Sequence, residues 1–343
     1  MGRSFYDPAW LPAGTLLKER YEICDVLDQI GDRIIYEGKD KILGRDVVIQ
    51  EFYPVELVYR FGENLRIDAY KGRTEKLCIR RERFCKEAKV LERFKKLDGL
   101  VTPIDFFEAN NTAYTIMRHL GETITLGKLS KIMRKYKMID VIVLLECLLP
   151  VMNGIAALHR EGLLHCDINP SSIIVLNDCT MKLLVDAGKR LIKDPIDAYY
   201  APEIYSAEEK MGPWTDIYAL CGTMYYYISG YNPFQAQDRI AEKKTLKDNT
   251  SIFSELENVI LKGVSVDIKD RYQSMKNSAK HYTEWRMKSG ILIKKKRALQ
   301  QYTISCNAFS FKIICLTQEK IKNLIFLLPK VPKNEPSSPK VLN

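Results

Sequence analysis

The chain has 343 residues, 46% hydrophobic and 28% charged, which suffices for one large domain or two lobes around a sizeable core. No uninterrupted apolar run reaches the roughly eighteen residues of a membrane span, and the N-terminal MGRSFYDPAW lacks an apolar signal core, so neither is predicted. The net charge of +10 is concentrated at one end: residues 287–343 hold eleven Lys/Arg against two Asp/Glu, leaving the rest nearly neutral.

After a short arm (1–20), the stretch 21–120 reads as strands interrupted by one helix. YEICDVL, RIIYEG and DVVIQEF are short β-branched or aromatic runs separated by turn residues. RRERFCKEAKVLERFKKL (80–97) places Phe84, Ala88, Leu91 and Phe94 three or four apart, which predicts an amphipathic helix. GLVTPIDFFEANNTAYTIMRHL (99–120) predicts two strands joined at Asn110–Asn111, a hairpin turn. From about 121 the pattern becomes helical. Residues 141–162 form a long apolar helix ended by Gly162, residues 214–230 a helix apolar on nearly all sides and therefore buried, and further helices are expected near 252–263 and 271–286. A β-rich small lobe followed by a helical large lobe (121–286) is an α+β, two-lobed architecture. The nine cysteines are odd in number and contain no CxxC, and the four histidines have no ligand spacing. Reduced thiols in the cytoplasm, and no zinc site, are expected.

In order, VVIQEF, KEAKVL, HCDINPSSII, DAG, APE, TDIYALCG and DRYQSM resemble the motifs of the protein kinase fold over roughly residues 21–286. Within that fold the chain is most similar to bacterial Ser/Thr kinases, whose third strand often ends in KE-aromatic-aromatic-Pro; here it is QEFYP. The resemblance implies ATP and Mg²⁺ as cofactors, with Arg33, Ile35, Val48, Gln50, Met117, Ile174 and Asp186 around the nucleotide. Fold alone does not fix function, so each position must be weighed separately.

Phosphoryl transfer depends on charges and dipoles that hold ATP and metal in line. The glycine-rich nucleotide loop falls on residues 28–33, where Asp28, Ile30 and Arg33 replace the three glycines. Val48 replaces the alanine over the adenine, which narrows that pocket. The third-strand lysine, which would pair with the phosphates and with Glu87, is Gln50, which can donate a hydrogen bond but carries no charge. In HCDINPSSII the aspartate that orients or deprotonates the substrate hydroxyl is kept as Asp167. The arginine beside it is Cys166, the lysine for the transferring phosphoryl is Asn169, and the asparagine for the second metal is Ser172. Asp186 of DAG is kept for Mg²⁺, but Ala187 replaces the phenylalanine that packs under the helix. The segment before APE is only twelve residues (189–200), and its only hydroxyls belong to Tyr199 and Tyr200. Scaffold residues survive better. Glu203 and Arg271 match the family's buried ion pair, and Asp216 matches the aspartate that ties the catalytic loop to the buried helix.

The expectation is a pseudokinase: a signalling scaffold or regulatory module with weak or no ATP binding, acting through a protein partner. The alternative is a low-activity Ser/Thr kinase in which Arg33 substitutes for the missing lysine. KKKR (294–297) beside apolar stretches raises the inner face of an anionic membrane as a contact for the tail, whereas a basic, partly disordered tail is the plainer reading. Nucleic acid is not expected, because charge is the only signal for it.

Overall fold

Apolar residues recur at every second position in three early runs, and these pair as antiparallel strands. The computed structural model describes residues 7–61, 65–121, 123–136, 141–185, 198–206, 208–242, 246 and 254–280. All lie in one compact unit spanning 1–293. The expected helix end beyond residue 280, the basic tail and the DAG triplet lie outside the described residues.

Strands β1 (Leu16–Leu17), β2 (Tyr21–Ile30), β3 (Arg33–Asp40), β4 (Arg45–Phe52), β8 (Asp105–Ala109) and β9 (Thr112–Arg118) form a sheet in the order β1-β2-β3-β4-β9-β8. Asn110 and Asn111 adopt φ of 52° and 60° between β8 and β9, the left-handed pair that a tight hairpin needs and that asparagine tolerates. A hairpin, β5 (Val58–Tyr59) with β6 (Asp68–Ala69), precedes helix α1 (Thr74–Glu92). The helix begins six residues earlier than its apolar spacing suggests, because Leu77 adds a buried turn beneath Phe84, Ala88 and Leu91. Phe84 packs on Phe52 with ring centroids 5.2 Å apart, which seats α1 against the sheet.

The helical lobe contains α2 (Leu126–Lys135), α3 (Val141–Arg160), α4 (Pro213–Ser229), α5 (Ala236–Glu242) and α6 (Ser254–Gly263). A second sheet, β10 (Ile124–Thr125), β11 (Ile173–Val175), β12 (Met181–Leu184) and β7 (Leu100–Val101), joins the lobes, since β7 comes from the first and pairs in parallel with β12. By length and composition α3 could cross a bilayer, yet Leu144, Leu148, Val151 and Ile155 are fully buried in the core. Gly162 (φ 73°) follows its end, and Gly230 (φ 83°) caps α4, the left-handed C-terminal position that glycine occupies without strain. Gly99 admits no side chain, because a Cβ would lie 2.1 Å from the Pro150 carbonyl oxygen.

Both faces of the six-stranded sheet are covered. The face opposite α1 carries Ile34, Tyr36, Ile49, Glu51, Tyr114 and Ile116, all fully buried. Glu51 pairs there with Arg60 of the β5–β6 region and accepts hydrogen bonds from Tyr36 Oη and Tyr114 Oη, each at 2.8 Å. Arg60 also donates to the Ala9 carbonyl and, at 3.1 Å, to that of Leu65, while Leu11 N–H donates to Tyr36 Oη at 3.1 Å. The N-terminal arm is thereby fastened to the sheet. Burial works against charge at Arg60, but Glu51 and the two phenols hold its pKa above the usual arginine value. Burial, reinforced by the Glu51 carboxylate, pushes both phenols up, so they remain donors.

Removing one partner of a buried pair strands the other charge. Arg60→Ala is expected to lower unfolding free energy by about 3–5 kcal/mol in urea denaturation. Lys41→Ala, which breaks the exposed 2.8 Å pair with Glu22, should change it little.

Candidate functional site

The segment aligned with the nucleotide loop is a paired hairpin. Asp28 faces Ile35, Gln29 faces Ile34 and Ile30 faces Arg33 across a two-residue turn at Gly31–Asp32, with Gly31 at φ 57°. Three contacts fasten it. Trp10 Nε1 donates to Gln29 Oε1 at 3.1 Å, Tyr53 N–H donates to the Asp32 carbonyl at 2.6 Å, and Arg80 of α1 pairs with the Asp32 carboxylate. Arg80 also reaches Glu56 at 2.5 Å. Asp32 is thus an anchor for α1 rather than a surface charge, a role that its sequence neighbours do not signal.

Strand alternation puts Arg33 and Ile35 on the face of β3 that meets Phe52 and Gln50 of β4. Arg33 is 8% exposed and Gln50 5%. Gln50 Oε1 accepts a hydrogen bond from Thr115 Oγ1 at 3.3 Å across the β4–β9 ladder, a partner that the sequence reading did not name. Glu87 accepts from Arg83 Nε at 2.8 Å, an i,i+4 pair on α1. At the adenine positions Met117 and Ile174 are buried, whereas Val48 is half-buried. Met117 and Ile174 cluster with Val101, and Val48, Leu120 and Leu184 pack against that cluster.

The loop 165–172 is held from beneath. The fully buried Asp216 of α4 accepts His159 Nε2 at 2.7 Å, His165 N–H at 2.9 Å and Cys166 N–H at 2.7 Å. Burial alone would raise its pKa, but the hydrogen bond and charge of His159, with His165, bring it below the usual aspartate value. The two backbone bonds offset the cost of Cys166, whose φ of 57° is unusual for a residue with a side chain. Cys166 is buried, as a packed rather than a reactive thiol would be. His165 Nε2 donates to the Leu184 carbonyl at 2.7 Å, which fixes its tautomer and leaves Nδ1 to accept from Asp167 N–H at 3.3 Å.

Residues 167–172 then close on themselves. Asn169 Nδ2 donates to Asp167 Oδ1 at 3.1 Å, and Asn169 Oδ1 accepts from Ser171 and Ser172 N–H at 2.8 and 3.1 Å. Ser172 Oγ donates to the Asn169 carbonyl and accepts from Asn169 N–H, both at 3.0 Å, and the residue is 8% exposed. Its hydroxyl therefore fits a metal poorly. Asp186, which the kinase resemblance assigns to the metal, lies outside the described residues.

The lower scaffold is intact. Arg271 grips Glu203 through both guanidinium amines at 2.8 and 3.0 Å, with both side chains fully buried, and Thr215 Oγ1 donates to Glu203 at 2.8 Å. Tyr199 and Tyr200 are buried, and Tyr199 Oη donates to Asn232 Oδ1 at 2.9 Å.

A depressed carboxylate pKa gives stability that is present above the unfolded value near 4 and lost as pH falls through the lower folded value. Asp216→Asn should be less stable than wild type by about 1.5–3 kcal/mol at neutral pH, the scale of hydrogen bonds to a charged group. Chemical denaturation at decreasing pH should show that difference shrink below about pH 4.

Comparison with known proteins agrees with this geometry. The family model described as "Protein kinase domain" matches residues 69–287, beginning after the nucleotide hairpin and Gln50. The chain is 23% identical over 238 residues to the probable serine/threonine-protein kinase PknB of Corynebacterium glutamicum, covering 66% of this chain and 34% of that protein. It is 22% identical over 283 residues to the probable serine/threonine-protein kinase CPE1738 of Clostridium perfringens, covering 77% of this chain and 38% of that one. The chain thus spans little more than a third of the length of these curated relatives. Among solved structures it is similar to PpkA-294 in its apo form (TM-score 0.66, 26% identity, 80% of this chain and 99% of that one). It also shares the fold of the PknI kinase domain of Mycobacterium tuberculosis (TM-score 0.59, 19% identity, 80% and 99%). Sheet-rich lobe, helical lobe, ordered motifs and a family match over most of the chain lead to one conclusion: this chain belongs to the protein kinase domain family.

Proposed function

We propose that the chain is a pseudokinase, a kinase-fold module that regulates or scaffolds a protein partner with weak or no ATP binding. The observation that carries this reading is the closed loop 167–172. Asn169 and Ser172, at the positions that would handle the transferring phosphoryl and the second metal, spend their polar atoms on Asp167 and on the loop backbone. The nucleotide hairpin, fastened to α1 and to the N-terminal arm, supports it. Loss of one preorganised electrostatic group typically costs about a hundred- to a thousand-fold in rate. Such losses are not additive, yet several together leave little transfer.

A second reading keeps a specific observation. Arg33 lies on the same face as Gln50, one alternation along the strand, where a displaced cation would sit in a low-activity Ser/Thr kinase. Arginine is bulkier than lysine and presents a fork rather than a point charge, which counts against it.

The full chain, incubated with labelled ATP and Mg²⁺ or Mn²⁺, is expected to transfer no more phosphate than its Asp167→Asn variant. Transfer abolished by Asp167→Asn would contradict the pseudokinase reading. If Arg33→Ala abolished it as well, the displaced-cation enzyme would be established instead.

A further inference from the structure

We propose that the N-terminal arm is a strap that sets how firmly helix α1 is held, acting through the nucleotide hairpin. The kinase resemblance assigns the placing of that helix to a strand lysine paired with Glu87. Here the strand position is the neutral Gln50, and Glu87 pairs along its own helix with Arg83. A different set of fastenings runs from the arm to the helix. No step of it involves ATP, so it stands or falls separately from the pseudokinase reading.

The arm end is firm. Arg60 donates to the Ala9 carbonyl, and Leu11 N–H donates to Tyr36 Oη at 3.1 Å, both within the buried Glu51 cluster. Between these two points Trp10 Nε1 reaches Gln29 Oε1 at 3.1 Å, on the first strand of the hairpin. Three residues further on, Asp32 passes the connection to α1: its carboxylate pairs with Arg80, while its carbonyl accepts Tyr53 N–H at 2.6 Å. The side chains of Asp32 and Arg80 are only 9% and 16% exposed, so water and salt screen this pair less than a surface pair. Arg80 also holds Glu56 at 2.5 Å, so the helix, the hairpin turn and the segment after β4 meet at one guanidinium.

Ordinary packing of an N-terminal segment would stabilise only its own neighbours. Two features favour a strap. The contacts are in series, from arm to Gln29 and from Asp32 to α1. The hairpin is also gripped from both ends of that series, so a displacement allowed at Trp10 is felt at Arg80. The helix has a separate seat: Arg81 donates to the Asn111 carbonyl and Oδ1 at 2.9 and 3.0 Å, and Phe84 packs on Phe52. Cutting the series therefore loosens the N-terminal half of α1 without unseating the helix. Displacement of residues 7–11 would loosen the hairpin and the helix together.

Hydrogen–deuterium exchange of the full chain, followed by mass spectrometry, tests this. Trp10→Phe keeps a ring and removes the indole donor. It should speed exchange about threefold or more both in the hairpin (28–35) and in the N-terminal half of α1 (74–84), the scale of one lost hydrogen bond, with α4 unchanged. Gln29→Leu, which removes the acceptor of the same bond, should reproduce that pattern. Arg80→Ala should loosen the same two segments. In the Arg80→Ala background, Trp10→Phe should still act on the hairpin but add nothing in α1, because the path between them is cut. Effects of Trp10→Phe confined to the arm and hairpin would overturn the proposal. So would an equal rise in α1 exchange with and without Arg80, which would show that the contacts act independently.

Discussion

The buried pair of Glu51 and Arg60 is the constraint on which the small lobe depends. Two charges removed from water are tolerated only when every remaining polar atom is satisfied, and here two tyrosine hydroxyls and the carbonyls of Ala9 and Leu65 do so. The N-terminal arm, the β5–β6 hairpin and three central strands are tied to one point. Gln50 is the residue before Glu51 and, by strand alternation, faces the opposite side of the sheet. Where the kinase resemblance expects a lysine–glutamate pair in the cleft, this chain has a neutral glutamine bonded to Thr115. Its deeply buried ion pair in this lobe lies on the far face.

The large lobe is likewise organised by buried charges. Asp216 organises His159, His165 and Cys166, and Arg271 clamps Glu203, so the loop keeps its shape. Above them, Asn169 and Ser172 turn inward and complete the loop's own hydrogen bonds. A loop that satisfies itself has little left to offer an incoming phosphate. Met117 and Ile174 are buried beside Val101, with the half-buried Val48 packed against them.

Much of this was legible in the sequence, and for local reasons. The strands β2, β3 and β4, the Asn110–Asn111 turn, and the helices ending before Gly162 and Gly230 follow from alternation, helical spacing and left-handed turn residues. The early start of α1, the β5–β6 hairpin and the anchoring arm were not read, because their stability comes from contacts distant in sequence. Glu51 sits in an alternating apolar register, at Val47, Ile49 and Glu51. A charge at a core position signals a buried partner but does not name Arg60. The kinase resemblance marks Asn169 as a replaced lysine, whereas its amide forms a local turn that spacing alone does not reveal.

A pseudokinase of the kind proposed would hold no metal–nucleotide complex in its cleft. Binding to the native state raises the melting temperature by mass action, so a thermal titration of the full chain with ATP, with and without Mg²⁺ or Mn²⁺, addresses it directly. The account predicts no metal-dependent rise at millimolar nucleotide. A rise that appears only when metal accompanies ATP would mean that the cleft still holds a metal–nucleotide complex, and would contradict it.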